Sequence, residues 1–213
     1  MKQVDKERAQ FRSSIYITVL FTLVLWIVWL CDYLFKLNLP QYGLIPKDLV
    51  GLRGIILSPF IHDNRNAWHL LSNTLPFMVL FFVLLNAYRP IAITVLVLIH
   101  LLTGLFVWLL APPYTIHVGI SGIIYGIAAF LVGSGIFRRD VTSLTIAIFV
   151  IFLYGGMVEG FKPQIGVSWE SHVCGAVIGF FLSFNLRNFA RPPRQKVFME
   201  ESEDDKHFFE RYP

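Results

Sequence analysis

Six long runs of apolar residues, separated by short polar or charged segments, dominate the chain. A helix needs about 20 apolar residues to cross the hydrocarbon layer of a bilayer, and the runs approach or reach that length. The first run follows a charged leader and continues through two tryptophans without a small-residue cleavage site, which favours a retained helix over a signal peptide. The pattern predicts an all-α membrane protein, a six-transmembrane-helix bundle with spans at 15–30, 67–87, 90–110, 118–137, 141–158 and 167–189.

The composition supports this interpretation. The chain of 213 residues is 55% hydrophobic and only 15% charged, with a mean hydropathy of +0.62, whereas soluble domains carry about 25% charged residues. A disordered chain is excluded, and a soluble globular enzyme is disfavoured. The two cysteines, Cys31 and Cys174, lie in or beside apolar runs, which excludes a disulfide-built secreted domain.

The distribution of charge predicts the topology. A net charge of +4 and a pI near 9.1 could indicate a nucleic-acid partner. However, 13 of the 18 Lys and Arg residues lie on the side of the two termini if there are six spans, which fits the positive-inside rule. The prediction is therefore an N-in/C-in topology with no nucleic-acid partner. The chain is predicted to comprise a cytoplasmic leader (1–13), a six-span domain (14–190) and a flexible cytoplasmic tail (191–213) with acidic residues from Glu200.

The segment between the first two spans, residues 32–66, predicts a structured outer loop. It mixes aromatic and aliphatic residues with few charges, so it is too apolar to float in water. We expect it to pack against the bundle or to lie in the membrane interface.

The fourth span opens with Gly119-Ile120-Ser121-Gly122, and Tyr125 lies one turn further on. Taken alone, such a sequence most often serves helix packing. Two features favour a nucleophile instead. Ser121 lies near a helix N-terminus, where free N–H groups favour developing negative charge, and the glycines leave space for a substrate.

The sixth span carries His172, followed by Gly175 and Gly179. These glycines form a small-xxx-small face that allows close contact with another glycine-rich helix, and the obvious partner is the fourth span. That contact would place His172 beside Ser121, although a lone buried histidine is more often structural. A neutral imidazole within hydrogen-bond reach is what a serine needs to become a nucleophile.

The second span begins with His69 and Asn73, which are four residues apart and therefore on one helix face. Both side chains can donate N–H bonds, as an oxyanion site for acyl transfer requires. On their own, these residues would be interpreted as interfacial groups that face water.

Together the three motifs resemble the rhomboid family of intramembrane serine proteases. The resemblance covers all six spans and rests on His69-x-x-x-Asn73, Gly119-x-Ser121-Gly122 with Tyr125, and His172-x-x-Gly175-x-x-x-Gly179. It implies a catalytic dyad of Ser121 and His172, with an oxyanion site formed by His69, Asn73 and the Ser121 backbone N–H. It also implies that Tyr125 orients the His172 ring, that Gly119 and Gly122 support the dyad, and that no metal or cofactor is needed. The implied substrates are other transmembrane proteins, cut in or next to their membrane segments. Separately from the resemblance, the short chain with no large extra domain indicates a bacterial plasma membrane.

The match has departures, and alternatives stay open. Trp68 stands where the family often has another histidine, and Leu52-Arg53 replaces the family's Trp-Arg pair; both changes concern loop docking and substrate choice. Glu170 has no assigned role. One alternative is a catalytically inactive rhomboid-like protein that binds membrane clients. The other is a small transporter, which would need ionisable groups along a path through the bilayer. The polar residues instead gather toward one face of the membrane, and only His100 and Glu159 lie apart from them. Neither His-Glu-x-x-His nor Gly-x-Gly-Asp occurs, which argues against zinc and aspartyl intramembrane proteases.

Overall fold

The computed structural model describes residues 2–164 and 166–189, with side chains from Val4 onward. The predicted acidic tail, 191–213, lies outside the described residues. The described chain is almost entirely helical, and its four short 3-10 segments are Leu39–Tyr42, Val50–Leu52, Ser58–Phe60 and Gly155–Phe161. The α-helices are α1 (Lys2–Phe35), α2 (Arg53–Leu57), α3 (Trp68–Ala87), α4 (Ala92–Leu110), α5 (Ser121–Arg138), α6 (Val141–Tyr154) and α7 (Trp169–Asn185).

Among the described residues, five helical segments are long and apolar enough to cross a membrane, so the protein is a multi-pass membrane protein. They correspond to the first five predicted spans: Val4–Phe35, Trp68–Ala87, Ala92–Leu110, Ser121–Arg138 and Val141–Phe161. The sixth predicted span is helical only as α7, whose 17 residues extend about 26 Å at 1.5 Å per residue. That length is somewhat less than the roughly 30 Å hydrocarbon core, and α7 starts with polar residues.

The first helix is longer than predicted. α1 contains 34 residues, and it includes nearly all of the charged leader as well as the predicted span 15–30. The leader is rich in Lys, Arg, Glu and Gln and has neither Gly nor Pro, so its residues favour a helix once the apolar stretch has formed. The outer loop therefore begins after Phe35 rather than at Asp32, whose carboxylate accepts a hydrogen bond from the Leu39 N–H at 3.0 Å.

α5 lies at the centre of the bundle. Of its membrane-length stretch, 72% is buried, against at most 33% for any other candidate span. Its most extensive contact is with α7. A Cβ added at Gly175 would overlap the carbonyl of Gly122, and one added at Gly179 would overlap that of Gly126. The predicted contact between the two glycine faces is therefore present, and it brings the two backbones together.

Polar contacts join the helix ends at the two ends of the bundle. At one end, Arg89 donates to the Gln10 carbonyl at 3.1 Å, and Arg138 donates to the Leu186 and Phe189 carbonyls at 3.0 and 2.8 Å. The Arg138 guanidinium also lies over the Tyr88 ring, 4.8 Å from its centroid. The N-terminal part of α1, the α3–α4 link and the ends of α5 and α7 therefore lie at the same end of the bundle. The loops 36–67 and 111–120 and the described parts of the segment after α6, 155–164 and 166–168, lie at the opposite end, where hydrogen bonds join them to one another.

The outer loop packs against the bundle, as the sequence predicts. Its helix α2 rests on α4, where the ring of His100 bonds to the Ile55 carbonyl at 2.8 Å. Further along α4, the Trp108 indole donates to the Asp48 carbonyl at 2.8 Å. His100 is thus a satisfied structural residue that ties the loop to the membrane domain.

Candidate active site

Ser121 is the first residue of α5, and the backbone before it turns sharply. Gly119 has a φ of +106°, a conformation that favours glycine because it has no Cβ. The Gly119 N–H donates to the Ser58 carbonyl at 2.9 Å, which attaches the turn to the outer loop. A Cβ at Gly122 would lie 3.1 Å from the Ser171 carbonyl oxygen, so this glycine permits the close approach of α7.

His172 lies beside Ser121, as the glycine pattern predicts. Its Nε2 is 2.8 Å from the Ser121 Oγ, and its Nδ1 is 2.8 Å from the Gly160 carbonyl oxygen. Because a carbonyl oxygen can only accept, Nδ1 carries the hydrogen of the neutral ring, and Nε2 accepts from the Ser121 hydroxyl. Both Ser121 and His172 are buried. This is the arrangement of a serine nucleophile and its base.

Tyr125 covers one face of the His172 ring. The two rings are stacked, with centroids 4.1 Å apart and planes 9° apart. The Tyr125 hydroxyl donates to the Met157 carbonyl at 2.7 Å. The 3-10 segment Gly155–Phe161 therefore holds both rings, one through Met157 and the other through Gly160.

His69 and Asn73 line the same cavity as the serine and the histidine. The cavity has a volume of about 1060 Å³, and its lining includes Ser121, Tyr125 and His172. A Cβ at Gly119 would lie 3.0 Å from the His69 ring, so that glycine leaves the space the ring occupies. The structure thus brings all five side chains predicted for the site to one cavity, with Gly119 and Gly122 flanking Ser121.

His62 is a member of this site that the sequence analysis missed. It is 1% exposed, and its Nε2 lies 3.4 Å from both the Ile120 N–H nitrogen and the Asn73 side-chain nitrogen. Since both groups are donors, Nε2 is the acceptor of a neutral ring. Burial lowers the pKa of His62 to about 3, and the nearby imidazole of His69 adds to the shift. The signal available in the sequence was a histidine at the end of the apolar part of the loop.

Four further residues that the sequence analysis discusses lie near the site or in the loops around it. Glu170 lies in the first turn of α7 and lines the cavity, and a carboxylate at this position is favoured by the helix dipole. Glu159 is exposed and pairs with Lys162 after α6. Of the departures noted above, Trp68 is 67% exposed, and Arg53 donates to the Gln41 carbonyl at 3.0 Å.

Comparison with known proteins identifies the family. Residues 51–189 match the model of the Rhomboid domain. An uncharacterized protein of Mycobacterium tuberculosis is 36% identical over 175 residues, which cover 78% of this chain and 72% of the relative. An uncharacterized protein of Mycobacterium leprae is 33% identical over 199 residues, which cover 89% of this chain and 77% of the relative. The chain belongs to the rhomboid family.

Proposed function

We propose that this protein is an intramembrane serine endopeptidase that cleaves other membrane proteins within or next to their transmembrane segments. The observation that carries the proposal is the pair of bonds made by His172: Nε2 accepts from the Ser121 hydroxyl and Nδ1 donates to the Gly160 carbonyl, each over 2.8 Å. The first bond holds the base within proton-transfer distance of the nucleophile. The second bond fixes the tautomer that can act as a base.

In the first step, the Ser121 Oγ attacks the scissile carbonyl carbon while its proton passes to His172 Nε2. The carbonyl π electrons move to oxygen and form a tetrahedral oxyanion. Collapse of this intermediate breaks the C–N bond, and His172 gives its proton to the departing amine. An acyl-enzyme ester on Ser121 results.

In the second step, a water molecule attacks the ester carbon and loses a proton to His172. The second tetrahedral intermediate releases the carboxylic acid product, and the proton returns from His172 to Ser121. The cavity of about 1060 Å³ beside the dyad supports this step because polar side chains line a path for water.

The oxyanion would be stabilised by donors around the start of α5. These are the Asn73 amide, an N–H of the His69 ring and the backbone N–H of Ser121, which as a first-turn group of α5 needs no intrahelical partner. One such donor typically contributes about 3 kcal/mol to the transition state. His62 accepts from Ile120 and lies beside Asn73, so it would help to hold this corner in place.

No carboxylate is required to orient His172. The Gly160 carbonyl accepts from Nδ1, which is the role a carboxylate has in a three-residue triad, and the Tyr125 ring blocks tilting of the imidazole. A developing imidazolium would be stabilised by the same carbonyl.

We also propose six membrane crossings with both termini in the cytoplasm of a bacterial cell and the site near the outer face of its plasma membrane. The ends of α5 and α7 meet at Arg138, whereas the start of α7 lies at the site. α7 therefore extends from one end of the bundle to the other, although it has only 17 residues. The excess of Lys and Arg at the terminal end supports the orientation.

The test uses purified protein in liposomes with a generic single-span substrate. Wild type is expected to cleave it, and Ser121→Ala and His172→Ala are each expected to remove cleavage while leaving the thermal unfolding transition in place. Ser134→Ala is the matched control, because Ser134 is a buried serine near the other end of the same helix and is not among the residues that line the cavity. Retained cleavage in Ser121→Ala or His172→Ala would refute the dyad. A folded wild type that neither cleaves substrates nor reacts with serine-directed probes would be a client-binding relative.

A further inference from the structure

A second histidine–serine pair lies beside the proposed dyad, and the sequence analysis did not single it out. His117 precedes Ser121 by four residues, and Ser168 precedes His172 by four residues. The His117 Nδ1 and the Ser168 hydroxyl are hydrogen-bonded, and both residues line the catalytic cavity. The pair thus joins the segment that leads to the nucleophile with the segment that leads to the base.

We propose that His117, acting through Ser168 and Ser171, is a positioning residue that holds the first turn of α7 where His172 reaches Ser121. The inference rests on the proposed protease function and names a further residue on which its rate depends. His117 would not touch the reacting atoms.

The direction of each hydrogen bond in this chain follows from its partners. The Thr115 hydroxyl donates to the Pro112 carbonyl at 2.8 Å, so it accepts from His117 Nε2–H at 2.9 Å. His117 Nδ1 then accepts from Ser168, and the Ser168 hydroxyl accepts from Ser171. Every hydroxyl uses its single proton once. Ser171 is the residue directly before His172.

His117 is itself fixed in place. Its backbone forms an antiparallel bridge with Leu44 of the outer loop, with N–H to O bonds of 2.9 and 3.0 Å in the two directions. The residue is 6% exposed, and burial lowers the pKa of its ring. Because both its backbone and its side chain are held, His117 can anchor the more exposed turn at the start of α7.

The Ser168 side chain bonds to His117 rather than capping α7. It is the N-cap residue of α7, a position where serine ordinarily bonds to a free N–H of the first turn. Here its side chain makes no cap bond and contacts His117 and Ser171 instead. The hydroxyl therefore holds α7 against a neighbouring segment rather than stabilising the helix alone.

The position of the first turn of α7 affects the rate because it sets the distance between Ser121 and His172. Proton transfer requires about 2.6–3.2 Å between nucleophile and base, and the Ser121–His172 separation is 2.8 Å. A displacement of about 1 Å at the start of α7 would break that bond, and misplacement of this size can cost about a hundredfold in rate. Gly122 already allows the Ser171 backbone to approach α5 closely. The remaining motion to be restricted is a sideways displacement of the first turn of α7 along the surface of α5.

The test measures kcat, KM and Tm for wild type, Ser168→Ala, Ser168→Thr, His117→Gln and the double variant of Ser168→Ala with His117→Gln, all in liposomes. We expect Ser168→Ala to lower kcat about tenfold or more, with little change in KM or Tm, because the displaced group is the base. Ser168→Thr keeps the hydroxyl and should restore most of kcat. The double variant should be no slower than the slower single variant, since both changes break one chain.

A fluorophosphonate probe, which reacts with an activated serine without a peptide substrate, gives an independent readout. Its rate of reaction with Ser121 should fall in parallel with kcat. Unchanged kcat in Ser168→Ala, failure of Ser168→Thr to rescue it, or a loss that follows Tm would each overturn the positioning role while leaving the protease function intact. A wild type inert to both substrate and probe would overturn the protease function and this inference with it.

Discussion

The imidazole of His172 lies flat against the phenol ring of Tyr125, with 4.1 Å between the ring centroids and 9° between the ring planes. The Tyr125 hydroxyl is bound to the Met157 carbonyl at 2.7 Å, so the phenol is held at its far end. The stacked ring prevents His172 from tilting towards Tyr125, and Ser121 and the Gly160 carbonyl hold its two nitrogens.

Substitutions at Tyr125 separate the stacking from the hydrogen bond. Tyr125→Phe keeps the ring and loses the bond to Met157, so kcat should fall by less than about tenfold. Tyr125→Ala removes both and should lower kcat by about a hundredfold, the size expected when a catalytic group is misplaced. The measurement is steady-state cleavage by the two variants in liposomes. Equal rates for Phe and Ala would mean that ring stacking has no part in orienting His172.

Asn73→Ala should lower kcat by about a hundredfold or more and leave KM nearly unchanged, because an oxyanion donor acts mainly in the transition state. Asn86→Ala is the control, since Asn86 is an exposed asparagine near the other end of the same helix. Kinetics with one transmembrane substrate suffice for the comparison. A raised KM at constant kcat would assign Asn73 to substrate binding instead.

The close contact of α5 with α7 predicts a steric penalty at Gly179. In Gly179→Ala, the new Cβ would overlap the Gly126 carbonyl, and forcing atoms into a packed contact typically costs about 1–3 kcal/mol. Gly155→Ala is the control, because a Cβ there meets no atom within 4 Å and the residue already has a right-handed helical conformation. Thermal unfolding in detergent should show a lower Tm for Gly179→Ala alone. Equal Tm values for the two variants would contradict the tight packing.

The buried His62 predicts acid sensitivity. The pKa of His62 is about 3 in the folded protein, against 6.5 for an unperturbed histidine. As the pH falls, the His62 imidazole is therefore protonated in the unfolded chain before it is protonated in the folded protein. The free energy of unfolding should therefore decrease progressively from about pH 6.5 towards about pH 3. His62→Gln removes this group, so its Tm should fall less between about pH 7 and about pH 4 than the wild-type Tm does. Parallel pH profiles for the two proteins would show that His62 does not stay neutral in the fold.

The sequence predicts the parts of this molecule that depend on helix periodicity. Glycine spacing in the predicted fourth and sixth spans predicts the α5–α7 contact, and the spacing of His69 and Asn73 places both side chains on one helix face. Helix propensity in the leader outweighs its charge, which is why α1 begins earlier than the apolar pattern indicates.

The contacts made by loops could not be predicted in this way. The Gly160 carbonyl reaches His172 from an irregular 3-10 segment, and His62 and His117 reach the site from loops. No repeating pattern links such residues to their partners, because the path of a loop is set by the packing of the whole domain. The backbone carbonyl that orients the base also carries no side-chain signal.

The most direct test of the account is covalent labelling of the protein by a fluorophosphonate probe, with the modified residue identified by mass spectrometry. The account predicts a single adduct on Ser121 in wild type, and its loss in His172→Ala even though Ser121 is still present. Absence of any adduct on folded wild-type protein, or equally fast labelling of Ser121 without His172, would contradict a nucleophile activated by that histidine.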